Sequence, residues 1–209
     1  MKHSQPPIPA AAHATLQKLS SLTRKASQSQ NLVSSVDLPD LFAKHIQDSL
    51  APLIVSDELH LDVPGQWLDF GSGAGFPLFP LAIALPNWKF VGVEPRSLRA
   101  QHLQKISVDL GLTNVRILRS KVELIQTFPD IRAKCQVVSC RAVGSIPEDA
   151  KRAHPFLAPG GHFVTYKHDE QVAEIDGYFP LSYVPYRLPG EEGLRNLVTA
   201  KTLTNQAES

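Results

Sequence analysis

A chain of 209 residues, 43% hydrophobic and 20% charged, has the composition of a soluble globular domain with an extension. No apolar run reaches the roughly 18 residues of a membrane span, and the opening MKHSQPPIPAAA lacks the apolar centre of a secretory leader. The net charge of +1 conceals an asymmetry: residues 1–36 carry Lys2, Lys18, Arg24 and Lys25 with no acid (+4), against −3 for the other 17 basic and 20 acidic residues. A basic arm on a slightly acidic body points to a polyanion partner, although four charges also suit an ordinary solvated helix. Cys135 and Cys140 stand five apart in one strand-like run, so they are expected on opposite faces, with neither a disulfide nor a metal site. A reducing cytoplasm is the expected compartment.

Along the chain, residues 1–12 read as disordered, with three prolines and then alanines. Residues 13–27 read as a helix with Leu16, Leu19 and Leu22 along one side. Residues 39–50 read as a second helix, with Asp37 as its N-cap and Pro39 in its first turn. From residue 66 strands and helices alternate. WLDF is a strand; PLFPLAIAL is a helix whose prolines fall in the first turn. WKFVGVE (88–94) is a strand, 96–110 a helix, NVRIL (114–118) a strand and CQVVSC (135–140) another. PEDAKRAHPFL is a helix stopped near Pro155, HFVTYK (162–167) a strand and 169–177 a helix. SYVPYRL and LRNLVTAKTL, joined by PGEEGLR, form an antiparallel edge hairpin. The alternation implies an α/β fold with a mainly parallel sheet and right-handed crossovers.

Between the first strand and its helix the chain reads DFGSGAGFP, with glycines at 71, 73 and 75. Ligands of open α/β sheets lie beyond the carboxyl ends of the strands, at such turns. The spacing G-x-G-x-G brings the third glycine one position early for the dinucleotide fingerprint. It favours a ligand whose carboxylate and ribose lie against the turn, as in S-adenosylmethionine (SAM). Glu94 ends the second strand, where a carboxylate can accept from both ribose hydroxyls; alternatively it is a plain strand-end acid. Val122 and Glu123 follow the third strand, suited to cover an adenine edge and accept from its amino group. Arg141 ends an apolar strand beside the same turn, and a buried strand does not carry a charge to its end without a partner.

The strings LDFGSGAGFPLFPLAIALP, VEPRSLRAQHLQK, LGLTNVRILRSKVE, SCRAVGSIPE, LAPGGHFVTYK and LRNLV, with NLVSS and HIQDSL upstream, resemble the RsmG/GidB family over roughly residues 28–201. The resemblance implies a class I SAM-dependent methyltransferase, Rossmann-like, acting on N7 of a guanine in 16S ribosomal RNA of the bacterial small subunit. The chain then divides into a disordered N-terminus (1–12), a helical extension (13–60) and the SAM-binding domain (61–209). The implied cofactor contacts are Gly71, Gly73, Phe76, Glu94, Val122, Glu123 and Arg141, with Gly75 completing the turn. His45, Asp48 and Ser49 are placed at the active-site mouth, where capping and packing are the plainer alternative. Arg99 matches a basic family position and Arg96 joins it on charge alone. Leu78 stands where many members have a glycine, and His168 where the family has a glycine after Lys167.

Guanine N7 carries a free lone pair at neutral pH, so the reaction requires no general base, and the sequence offers no nucleophile–base pair. Catalysis is expected mainly from proximity and orientation, with Asp69 or Asp48 as candidate electrostatic partners of the cationic product. Arg141 is suited to orient the cofactor or hold guanine O6, not to act as a base. RNA contacts are expected from Lys18, Arg24, Lys25, His45, Arg96, Arg99 and Lys167, and Phe76 is suited to stack on the target base. The expected partner is 16S rRNA or the small ribosomal subunit, without a membrane or metal, and the expected state is a monomer. A methyltransferase for a small molecule or protein, and a non-catalytic SAM-sensing RNA-binding protein, remain alternatives; a dehydrogenase is disfavoured by the glycine spacing.

Overall fold

The computed structural model describes residues 4–30, 32–167, 172 and 174–203. Five runs of apolar and β-branched residues form parallel strands: β1 (Gln66–Phe70), β2 (Lys89–Val93), β3 (Val115–Leu118), β4 (Cys135–Arg141) and β5 (Leu157–Lys167). With β6 (Ser182–Tyr186) and β7 (Arg195–Lys201) they make one seven-stranded sheet of order β3-β2-β1-β4-β5-β7-β6. The edge hairpin forms as expected, with β7 antiparallel to both β5 and β6. Leu197 to Ala200 are all buried, whereas β6 is mostly half-exposed, so the strand that is apolar on both faces takes the inner place.

Helices α1 (His13–Gln30), α2 (Leu78–Ala84) and α3 (Ser97–Leu110) cover one face. There Leu16, Leu19, Leu81, Leu103 and Ile106 pack with Trp67 and Phe90 of the sheet. Helix α4 (Ile146–Ala153) covers the other face, where Ile146, Ala150 and Ala153 meet Leu68, Phe70, Val138 and Phe163. The strand order reverses between β1 and β4, which places the switch-point crevice at their carboxyl ends.

Several sequence expectations are corrected. Residues 4–12 are ordered: Ser4 bridges Tyr186 of β6, the Gln47 side chain donates to the Pro6 carbonyl at 3.0 Å, and Ala12 is buried. Extended proline-rich backbone keeps its carbonyls free, and here the body of the protein uses them. Asp37 does not cap the second helix. That helix starts at Leu41 and is π-helical over Phe42–Gln47, while the Asp37 carboxylate lies 3.5 Å from Lys44 Nζ and 3.6 Å from His45 Nε2. No described residue of 169–177 is helical; Val172 N–H is held by the Tyr183 hydroxyl at 2.8 Å and the chain turns at Gly177. His168 lies outside the described residues. The two cysteines share one face rather than opposing ones, because the register shifts between Cys135 and Val137 and a bulge reverses the alternation.

Candidate active site

The glycine turn leaves β1 with positive φ at Gly71 (70°), Gly73 (56°) and Gly75 (96°), a region open to glycine. Their surroundings differ. A Cβ on Gly75 would lie 2.3 Å from the Phe79 ring, and one on Gly71 2.7 Å from Val143 Cγ2, whereas one on Gly73 meets nothing closer than 3.6 Å. Gly75 is therefore packed inward, and Gly73 presents open backbone. Leu78 is fully buried and reaches into the notch left by Gly92: a Cβ there would sit 2.5 Å from Leu78 Cδ2.

Glu94, only 3% exposed, ties this turn to the next helix. Its Oε2 accepts from Gly73 N–H at 3.0 Å and its Oε1 from Arg96 N–H at 2.9 Å. Beside it opens a cavity of about 250 Å³, walled by Gly71, Val93, Val122, Glu123, Val143 and Arg152. Val122 is buried, while Glu123 is exposed and lies 3.5 Å from Arg152 of α4. Below the turn Asp69 is buried at 1% exposure. Burial pushes its carboxyl up to about 7, against the opposing hydrogen bonds of Ser72 and Ser139. The Ser139 hydroxyl donates to Asp69 Oδ1 at 2.8 Å and accepts from Trp67 Nε1 at 2.9 Å.

A second constellation lies across the carboxyl end of β4. Arg141 Nη2 donates to the Lys44 carbonyl at 3.1 Å, lies 3.2 Å from His45 Nδ1 and pairs with Asp48 Oδ2 at 3.2 Å. Asp48 is buried at 1% exposure; its Oδ1 accepts from the Tyr186 hydroxyl at 2.7 Å and lies 3.2 Å from Arg195 Nη1. The guanidinium of Arg141 sits 6.0 Å over the Tyr166 ring, whose hydroxyl donates to the Ser49 carbonyl. His45 stacks on Phe76, centroids 5.5 Å apart. Burial, then the Arg141 charge, pull its imidazole down to about 4 while Asp37 and Asp48 oppose, so it is neutral at pH 7. One face of Phe76 is thus covered by His45.

The structure places Gly71, Val122 and Glu123 in the wall of the first cavity, joins Gly73 to Glu94 at the adjoining turn, and brings His45, Asp48, Phe76 and Arg141 together in the second constellation. Lys167 borders the latter, its Nζ donating to the Gly144 carbonyl. Arg99 Nη1 lies 3.8 Å from the position of a Gly73 Cβ, and Arg96 is exposed at the start of α3. Arg24 donates to the Pro39 carbonyl and Lys25 borders the α1–α3 groove. Lys18 is elsewhere: it donates to the Asp109 carbonyl, near the far end of α3. Arg195, Tyr166, Tyr186 and Ser139 were missed as site residues. The sole usable signal was an arginine opening the apolar run RNLVTA; the partners come from strands distant in sequence.

A family model described as rRNA small subunit methyltransferase G (GidB) matches residues 12–180. The chain belongs to this family. Curated relatives include ribosomal RNA small subunit methyltransferase G of Dehalococcoides mccartyi, 32% identical over 184 residues (84% of this chain, 77% of that protein). That of Carboxydothermus hydrogenoformans is 30% identical over 192 residues (88% and 80%). Among solved structures, the O-methyltransferase TomG of Streptomyces achromogenes in complex with SAM matches at TM-score 0.60 and 16% identity, covering 90% of this chain and 89% of that one. A tRNA methyltransferase of Aquifex aeolicus matches at TM-score 0.55 and 17% identity, covering 71% and 67%. At such identities the structures carry the fold, a class I methyltransferase sheet. Among the described residues no helix is long and apolar enough to cross a membrane.

Proposed function

We propose that the protein transfers a methyl group from SAM to N7 of a guanine in 16S ribosomal RNA. Membership of the rRNA small subunit methyltransferase G family carries this reading. The residues fit the cofactor. Gly73 has an open face, the buried Glu94 carboxylate is hydrogen-bonded beside it, and Val122 supplies an apolar wall. Gly71, Gly73, Glu94, Val122 and Glu123 would hold it, and when bound it supplies an electrophilic methyl to a nucleophile that needs no deprotonation. Of the two roles open to Arg141, its place in the second constellation favours holding the base over orienting the cofactor. The protein's own part is positional. Neutral His45 closes over Phe76, and Arg141 is braced by Lys44, His45 and Asp48. Asp69, beneath the turn, contributes a carboxyl that titrates near neutrality. Arg24, Lys25, Arg96, Arg99 and Lys167 are the RNA-facing cations of this reading, which takes the enzyme as a cytoplasmic monomer.

The test supplies labelled SAM to small subunits lacking the modification, to their naked RNA and to bulk protein. Label recovered as 7-methylguanosine in either RNA pool supports the reading. Label confined to protein, or no label with SAM binding intact, overturns it.

A further inference from the structure

Between the carboxyl end of β4 and the start of β7 lies a cavity of about 270 Å³, lined by Asp48, Arg141, Tyr166, Lys167, Tyr186 and Arg195. That is slightly below the roughly 300 Å³ at which small-molecule sites begin, a size for one flat ring system. Two buried atoms of its lining side chains make no hydrogen bond among the described residues: the acceptor Asp48 Oδ2 and the donor Arg141 Nη1. Oδ2 lies 3.2 Å from Arg141 Nη2 but out of hydrogen-bond alignment. The neighbouring atoms are engaged: Asp48 Oδ1 with Tyr186 and Arg195, Arg141 Nη2 with Lys44 and His45. Buried polar atoms are rarely left without partners. An acceptor and a donor left so on adjacent side chains suit a ligand edge that offers both.

We propose that this cavity is the recognition subsite for the target base: Asp48 Oδ2 accepts from the N1–H and 2-amino group of guanine, and Arg141 Nη1 donates to O6. The proposal rests on the guanine reading above and adds the residues that read the base. Guanine presents two neighbouring donors with O6 beside them. N7 follows O6 around the ring, so a base held this way turns N7 away from Asp48, on the Arg141 side. Adenine would set its N1 lone pair against the carboxylate and its amino group against the guanidinium, mismatched at both. Tyr186 and Arg195 hold Asp48 from the edge hairpin and are positioning residues.

The test uses 16S RNA assembled with guanosine, inosine or adenosine at the modified position, mapped beforehand by mass spectrometry. Inosine keeps N1–H, O6 and N7 and lacks only the 2-amino group. The wild-type enzyme is expected to methylate the inosine RNA with kcat/KM at least tenfold below guanosine, and adenosine not at all. In Asp48→Asn the guanosine-to-inosine ratio is expected to fall below threefold, with SAM affinity by calorimetry within twofold of wild type. A ratio equal in both enzymes, or near one in wild type, overturns the proposal. If Asp48→Asn does not fold, the wild-type ratio decides alone. A wild-type enzyme inactive on guanosine RNA is a failure of the proposed function itself, and the subsite assignment falls with it.

Discussion

Gly73 and Gly75 share a turn but not a constraint. Gly73 requires only its left-handed backbone, so Gly73→Ala should cost about 1 kcal/mol in urea unfolding. Gly75→Ala adds a carbon 2.3 Å from the Phe79 ring and 3.3 Å from Leu103. Overpacking of that kind costs about 1–3 kcal/mol more, and a Gly75→Ala protein as stable as Gly73→Ala would refute this packing account. Two titratable groups, Asp69 buried and His45 half-buried, set opposite pH slopes. The Asp69 carboxyl holds its proton up to about 7 in the fold, against 3.8 when unfolded. The native state thus binds more protons in that window, and stability falls as pH rises from about 4 to 7. His45 is the reverse: about 4 in the fold and 6.5 unfolded, so stability rises with pH between those values. Asp69→Asn should therefore expose a rising stability–pH profile and His45→Gln a falling one, each steeper than wild type by chemical denaturation at pH 4.5, 5.5, 6.5 and 7.5.

The π-helical segment does what an α-helix of the same sequence would not. Asp48 N–H reaches back to the Ala43 carbonyl, five residues away, and the widened turn directs His45 and Asp48 together at Arg141. Deleting Ala43 would restore α-helical bonding and rotate the preceding residues by about 100° relative to those that follow. The expected result is a folded protein with unchanged far-ultraviolet dichroism and methyl transfer reduced at least a hundredfold; retained activity would show that the widened turn is dispensable. At α4, Ser145 and Glu148 form a capping box, and Ser145→Ala should cost about 1 kcal/mol. The elements beyond residue 66 were legible because their apolar periodicity and turn residues agree. The π-turn was not, since an extra residue per turn leaves no mark on a six-residue pattern. Nor was the bulge at Cys135, whose parity shift depends on the partner strand β5.

At the scale of the molecule the basic residues divide. Arg96 and Arg99 stand at the start of α3, by the glycine turn, while Lys18 is bound at Asp109, ten residues or roughly 15 Å further along the helix. Arg96→Ala and Arg99→Ala should each weaken RNA binding and reduce the slope of log affinity against log salt by about 0.7–0.9, one phosphate contact apiece. Lys18→Ala should leave that slope unchanged in filter-binding titrations; an equal effect at all three positions would spread the RNA footprint over the whole α1–α3 face.

Sequence alone determined the alternating α/β fold, the glycine turn and the acid at the end of β2, because these depend on local periodicity, backbone freedom and one loop's neighbours. The resemblance to a family supplied the reaction on the same local evidence. Tertiary structure decided that Asp48, 93 positions from Arg141 and 147 from Arg195, lies between the two arginines. It also decided that Gly75 packs inward and that Lys18 is remote. A buried charge is compensated by whatever the fold brings within about 3 Å, and that is set by strand order and helix packing rather than by the spacing of residues along the chain.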